Sequence, residues 1–556
     1  MIEMDERHIV AIDLGTSKMA LTVAKVNGND KQIIYYKEAH SAGIKYSGVF
    51  NILHAHSPLA FLIKDAEESL GIKINQAVVG MPKFPIRQET NSGKVMDRGE
   101  DTEITAEDIE AIKRFAQETY PLKDPKKEAI YGAVAQSFSD GEYFQIIEND
   151  IIGMTSDVLE GHFKIFIGNK KDLKNADNLL MKTGITSKKK YFTAETTAKA
   201  VLTDIEMENG VALIDFGGGS TSVTIYHGNI MRHYASIPFG GRNITNDIKT
   251  ELQISERLAE NIKLAFGACM PDKLQSLSEK VLHINGLTAD QSKEVTVKYL
   301  SEIITARTEE IIQAMLYEIS QSGLAEHLRG GIVVTGGASQ TANLGILIRQ
   351  MSGYNVRIGR PLGTLSCQDV EGVYEPSAST SLGLIQAAIE DDCMNCATCE
   401  EIYHTEIETP VEVETPTEVE TPAETETEIT LVAETETERG EIPYIDIEEV
   451  TETIAEEEAE QVADEAVEEP SFEEQPFEEE IQDEELEEEV EEEDPEVIEE
   501  EEEEEEEEDD DEEIDEDDDE TGSRKGKGGL IAKIKFIWDK INDDTDDMID
   551  DMTKKK

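Results

Sequence analysis

One tryptophan and five cysteines stand among the 556 residues of this chain, and only 6% of its residues are aromatic. Cysteines this sparse make no disulfide framework. No run of 18 apolar residues occurs, so the sequence offers no membrane-spanning helix. Met1 to Val10 carries acids where a secretory signal needs positive charge, and it lacks an apolar core segment, so the chain reads as cytoplasmic. Basic residues are also scarce, 50 Lys and Arg against 123 Asp and Glu, for a net charge of −73. No Lys/Arg-rich run interleaved with aromatics appears in the first 400 residues, which argues against nucleic acid as a partner.

What is present is unevenly placed. Residues 401–520 hold 63 acids and a single basic residue, Arg439. Residues 521–556 carry nine Lys/Arg against seven Asp, which leaves an ordinary −13 for residues 1–400. The chain therefore reads as a body over 1–390, an acidic linker over 391–520 and a short, partly basic end over 521–556.

The body has the punctuation of an α/β fold. His8 to Leu14 and Leu21 to Val26 read as two strands around a tight turn. Val211 to Phe216 and Thr221 to His227 repeat that layout about 200 residues later. Gly331 to Thr335 is a third buried strand ending in glycines. Helices are predicted over Thr105–Thr119, Asp172–Thr183, Ser255–Phe266 and Leu300–Ser320, with Thr105 and Asp108 as a capping box.

The repeated turns carry the chemistry. The first reads Asp13-Leu14-Gly15-Thr16-Ser17-Lys18, and the second Asp215-Phe216-Gly217-Gly218-Gly219-Ser220-Thr221. Glycines let backbone N–H groups approach phosphate oxygens, and the hydroxyls add donors. Asp13 and Asp215, facing each other from two domains, could hold a hydrated Mg²⁺. The third turn, Thr335-Gly336-Gly337-Ala338, would let backbone lie flat along an adenosine, with a helix starting at Ser339 or Thr341.

These three motifs, in this order, resemble those of the superfamily of actin, heat-shock chaperone and sugar-kinase ATPases. Four further segments resemble the bacterial cell-division family FtsA within it. They are Ile237–Ile248, Ala259–Lys263 with Phe266-Gly267, Ala200–Thr203 and Glu375–Gly383. The resemblance covers roughly residues 5–390. It implies an actin-like, two-lobed α/β ATPase fold of duplicated mixed-sheet domains, with the second lobe at about 205–365. It also implies a β-α-β-β subdomain inserted at about 84–169, and a smallest subdomain at about 245–329. ATP and Mg²⁺ are the implied cofactors, with Glu260 and Lys263 contacting ribose or base. Asp13, Gly15 to Lys18, Asp215, Gly217 to Thr221 and Gly336 to Ala338 would hold phosphates, metal and adenosine. Where the superfamily places a Glu or Gln to position the attacking water, this chain has Thr193, with Glu195 two residues on. Either the register shifts and Glu195 serves as the catalytic group, or the group is missing.

The implied partners are a second copy of the chain in a head-to-tail filament, later division proteins, and the C-terminal peptide of the tubulin-like protein FtsZ. Arg307 looks like a family arginine at that peptide's surface, and an exposed helix arginine without a role is the alternative. A sugar or acid kinase is the rival reading, but no substrate-base motif is visible for it.

Cys393, Cys396 and Cys399, with His404 nearby, have a spacing that could bind zinc; the alternative is a reduced, flexible segment entering the linker. Residues 401–520 repeat Thr-Pro at 409, 415 and 421 and end in an acid run, so they cannot bury enough apolar surface to fold. Fully extended they would span at most about 400 Å, at roughly 3.4 Å per residue. Beyond them, Leu530, Ile531, Ile534, Ile537, Trp538 and Ile541 fall on one helical face, and residues 524–542 carry +5. That pattern fits a helix lying in a membrane interface, and the resemblance implies that this is the cytoplasmic face of the inner membrane at the septum. A partner groove, or docking back onto the chain's own body, is the alternative for this helix.

Overall fold

The computed structural model describes residues 6–97, 102–284, 293–367 and 370–399. Two sheets of the same topology form its centre. In the first, the strand Arg7–Leu14 pairs antiparallel with Lys18–Asn27, which pairs antiparallel with Asp30–His40. On its other side Arg7–Leu14 runs parallel to Gln76–Gly80, which runs parallel to Thr186–Tyr191. In the second, Val211–Phe216 pairs antiparallel with Thr221–His227, and that with Ile230–Ile237. Ile332–Thr335 and Val356–Ile358 then add in parallel on the far side. Among the described residues, the first sheet differs by a short sixth strand, Ser366–Cys367, at its edge. This is the duplicated, two-lobed actin-like fold that the resemblance implies.

Both central strands are near-continuous apolar runs because helices cover both faces of each sheet. In the first sheet, Val10, Ile12 and Leu14 pack with Leu59 and Leu62 of the helix Ile52–Leu70 and Leu179 and Leu180 of the helix Lys170–Lys182. Ile9 and Ala11 point the other way, into a core with Leu384, Ile385 and Ala388 of the helix Ser379–Glu390. Side chains alternate along a strand, so Asp13 shares the face of Ile9 and Ala11. In the second sheet, Val211 and Leu213 pack with Ala194, Ala198 and Val201 of the helix Thr193–Val201, and Asp215 shares their face. These two helices pack against each other. A Cβ on Gly383 would lie 2.1 Å from the carbonyl oxygen of Thr196, so glycine there permits backbone-to-backbone contact. The two aspartates therefore look toward each other across one pair of crossing helices.

A β-α-β-β subdomain occupies residues 87–169. The strand Arg87–Asp97, the helix Ala106–Thr119 and the strands Glu128–Ser139 and Val158–Asn169 form it, with the last strand central in the three-stranded sheet. The Thr105–Asp108 capping box is formed, and Ile109, Ile112 and Ala116 pack on Phe138 and Phe163. The subdomain also touches the second lobe: Gln136 Nε2 donates to the Met231 carbonyl at 2.9 Å, and the Tyr234 amide to Gln88 Oε1 at 2.9 Å.

Two expectations need correcting. The helix after the third turn starts not at 339 or 341 but at Leu344, after a 3₁₀ turn over Gly337–Gln340. The body does not stop at residue 390. Ala397–Cys399 pairs antiparallel with Ile72–Ile74, and the Cys396 amide donates to the His8 carbonyl at 2.8 Å. Cys393 and Cys396 are buried, and burial pushes the Cys396 thiol up to about 11. So the first two of these cysteines belong to the packed body and not to a flexible linker. Among the described residues no cluster of three or more His, Cys, Asp or Glu could hold a metal ion. His404 and residues 401–556, including the acidic run and the terminal amphipathic segment, lie outside the described residues.

Candidate functional site

The two glycine turns meet tip to tip. A Cβ on Gly218 would lie 2.0 Å from Ser17 Oγ, and one on Gly219 would lie 2.5 Å from Thr16 Oγ1. Each turn is also too tight for a side chain at its own glycine: a Cβ on Gly15 would fall 2.4 Å from the Lys18 carbonyl oxygen, and one on Gly217 2.8 Å from that of Ser220. The Gly217 amide closes the second turn onto the Ser220 carbonyl at 3.1 Å. The N-terminus of the helix Gly241–Leu252 is pinned to that turn, with the Gly241 and Arg242 amides donating to the Gly217 and Gly218 carbonyls at 3.0 and 2.7 Å.

The expected hydroxyl donors divide into two groups. Thr16 Oγ1 accepts from the Ser47 amide at 3.1 Å, which leaves its proton free to donate. Thr221 is fully buried, and its hydroxyl donates to the Phe239 carbonyl at 2.8 Å, so it supports the wall of the site and offers nothing to a ligand. Ser220 is buried as well. Lys18 pairs with Glu38. Burial lowers the Lys18 pKa, and the Glu38 carboxylate opposes that shift.

The third turn closes on the second. Gly336 has φ of +91°, and a Cβ on it would lie 2.6 Å from Asp215 Oδ1. Behind it, the Thr335 hydroxyl and Ser379 Oγ are 2.7 Å apart, which fixes the N-terminus of the helix Ser379–Glu390. Gly337 stands open, and its nearest neighbour would be the Ser377 Cβ at 3.9 Å. Across from Ala338, a Cβ on Gly241 would lie 3.3 Å from the Ala338 Cβ and 3.7 Å from Lys263 Nζ. Lys263 Nζ donates to Glu260 Oε2 at 2.9 Å, to Thr245 Oγ1 at 2.9 Å and to the Gly241 carbonyl at 3.2 Å. Glu260 and Lys263, on the helix Glu256–Phe266, thus share a wall with Gly241 and Ala338.

Sequence reasoning missed the cation in the middle. Lys83 Nζ bonds to Asp215 and donates to Thr380 Oγ1 at 3.1 Å, and the Thr380 hydroxyl is 3.2 Å from that of Thr197. Burial alone would lower the Lys83 pKa, but the Asp215 and Asp13 carboxylates outweigh it and hold the pKa raised. Burial raises the Asp13 pKa, against the pull of Lys83 and Lys18. The only hint in the sequence is a lysine that follows Gly80-Met81-Pro82 at a strand end.

The structure does not bring Glu195 to this site. On the helix Thr193–Val201, Thr193 and Thr197 are one turn apart and face the site side: Thr193 Oγ1 donates to the Met81 carbonyl at 3.2 Å, and Thr197 meets Thr380. Glu195 is two residues on from Thr193, about 200° around the helix. Its carboxyl pKa is raised by burial, and the charges acting on it are Lys113 and Lys199, with neither Asp13 nor Asp215 among them. Arg307 is also elsewhere. It sits on the helix Val297–Gln321, held by Asp247 at 2.5 and 3.2 Å and by Glu310 at 2.6 Å. It lines a groove of about 420 Å³ together with Thr250, Glu251, Tyr299 and Ile303.

Comparison with known proteins gives the family. The family profile "Cell division protein FtsA" matches residues 212–383, which include the second and third turns. The cell division protein FtsA of Neisseria meningitidis serogroup B is 31% identical over 391 residues, covering 70% of this chain and 91% of that protein. This chain belongs to the FtsA family. FtsA of Borreliella burgdorferi is likewise 31% identical over 390 residues, covering 69% of this chain and 91% of its own length. Among solved structures, the PilM-PilN type IV pilus biogenesis complex aligns with a TM-score of 0.49 and 12% identity, over 69% of this chain and 99% of that one. An FtsA member has an actin-like role in cell division, and the tip-to-tip turns lie at the junction of its two lobes.

Proposed function

We propose that this FtsA-family chain binds Mg-ATP between its lobes and polymerises head to tail. In this reading it also tethers FtsZ filaments to the cytoplasmic face of the membrane at the septum and recruits later division proteins. The observation that carries the nucleotide reading is the meeting of the two Asp-Gly turns, with Gly336 against Asp215. Gly15, Gly217, Gly218, Gly219 and Gly336 each stand where a Cβ would collide, so backbone without side chains lines the junction, as a phosphate needs.

The donor set fits the group. The amides of Gly15, Gly218 and Gly219, with the Thr16 and Ser17 hydroxyls, would hold phosphate oxygens, while Gly217, whose amide the Ser220 carbonyl takes, shapes the turn. Asp13 and Asp215 would hold Mg²⁺ largely through water, since two carboxylates alone leave most of its six positions open. Gly336 to Ala338, Glu260 and Lys263 would face the nucleoside. Bound Mg-ATP supplies the charge-neutralised triphosphate whose presence both lobes can sense. Glu195 takes no part in this reading, so any hydrolysis must draw on another group.

Lipid attachment is assigned to Leu530, Ile531, Ile534, Ile537, Trp538 and Ile541, and reach to the acidic linker. The FtsZ C-terminal peptide is assigned to the surface around Arg307. A subdomain that packs on a neighbour's body without closing would make the filament. Titration calorimetry tests the nucleotide reading: Mg-ATP should bind saturably at one site, and chelating the metal should weaken that binding. Absence of any Mg-ATP binding would reject the reading.

A further inference from the structure

Lys83 belongs by sequence to the first lobe, where it follows the strand Gln76–Gly80, yet second-lobe residues hold it. Tyr234 Oη donates to the Lys83 backbone carbonyl at 2.7 Å, and the Lys83 ammonium bonds to Asp215. Its side chain is 13% exposed and that of Asp215 10%. Thr380, on the helix packed between the lobes, accepts from the same ammonium at 3.1 Å. One buried cation therefore ties together both lobes and the crossing helix. It also engages the carboxylate that a divalent metal would need.

We infer that Lys83 is a built-in counter-cation for the Asp13–Asp215 pair, and that it makes metal binding at this cleft dependent on nucleotide. The inference rests on the Mg-ATP reading above and deepens it. The charge balance supports it. With the neighbouring Lys18–Glu38 pair neutral overall, two carboxylates and one ammonium leave a single negative charge in a poorly solvated cleft. A divalent ion entering alone would reverse that sign and strip a buried ammonium of its partner, which is unfavourable. A metal arriving with a triphosphate brings the anion that takes up the released ammonium. The clasp between the lobes is then exchanged for contacts to the ligand.

The probe is Mn²⁺, followed by the loss of its free-ion EPR signal on titration with full-length protein in the absence of nucleotide. Lys83→Met and Lys83→Gln should bind one Mn²⁺ at least about tenfold more tightly than the wild type, because a competing unit charge has been removed from a site of low effective dielectric. Lys83→Gln keeps a donor for Asp215, so it decides the matter if Lys83→Met fails to fold. Adding Asp215→Asn to either variant should abolish the gain, which assigns the ion to this cleft. Lys83→Arg, which keeps the charge, should behave like the wild type. The inference is overturned if wild type binds Mn²⁺ alone as tightly as the folded variant, or if the gain survives Asp215→Asn. Calorimetry with Mg-ATP on the wild type runs in parallel. Wild type that binds Mg-ATP beside variants with no Mn²⁺ gain would sink the Lys83 clasp and leave the nucleotide reading standing. Wild type that binds no Mg-ATP would sink the nucleotide reading and the clasp with it.

Discussion

Asp215→Ala is expected to weaken Mg-ATP binding at least about tenfold, or roughly 1.4 kcal/mol, and to lower thermal stability as well. Two losses combine. The carboxylate leaves the metal side of the cleft, and Lys83 keeps a buried ammonium with Thr380 but without its direct carboxylate partner. Truncating one member of a buried ion pair costs about 3–5 kcal/mol because the other charge stays behind. Asp215→Asn separates the two effects. It keeps an acceptor oxygen for Lys83 and the packing against Gly336, so stability should fall less while Mg-ATP affinity still drops. Calorimetry and thermal melts of the two variants are the measurement. Unchanged Mg-ATP affinity in Asp215→Ala would remove the two-aspartate site.

Trp538→Glu is expected to release the protein from anionic vesicles. It takes the largest apolar side chain from the face formed by Leu530, Ile531, Ile534, Ile537 and Ile541, and puts a charge there. The basic residues of 524–542 add about 1 kcal/mol each near an anionic surface, too little to hold a helix that no longer inserts. Deleting 401–520 should retain binding, and could tighten it, because the same surface repels 63 acids. Co-sedimentation of the three proteins at low and physiological salt reads this out. Wild-type sedimentation of Trp538→Glu would show that the segment is no anchor. Binding that requires the linker would overturn the division between reach and affinity.

Local patterns were the most legible part of this chain. The repeated Asp-Gly turns, the Thr105–Asp108 cap and the alternation that turns Asp13 and Asp215 inward are all short-range features. What escaped depends on distant partners. Lys83 looks like any loop lysine until Asp215, 132 residues away, is placed beside it. The Thr221 hydroxyl looks like a phosphate donor until the Phe239 carbonyl takes it. Glu195 lies only two residues past the family position at Thr193, but helical rotation carries it to the side opposite Thr193 and Thr197. The drift toward acidic composition after residue 390 hid Ala397–Cys399, whose partner strand Ile72–Ile74 lies more than 320 residues earlier.

Electron microscopy of the full-length chain with Mg-ATP on anionic lipid monolayers tests the central claim most directly, because it asks for nucleotide, self-assembly and membrane together. The account expects membrane-bound filaments with Mg-ATP, far fewer with Asp215→Ala, and filaments detached from the lipid with Trp538→Glu. A lipid surface bare of filaments in the presence of Mg-ATP, or filaments equally abundant with Asp215→Ala, would contradict it.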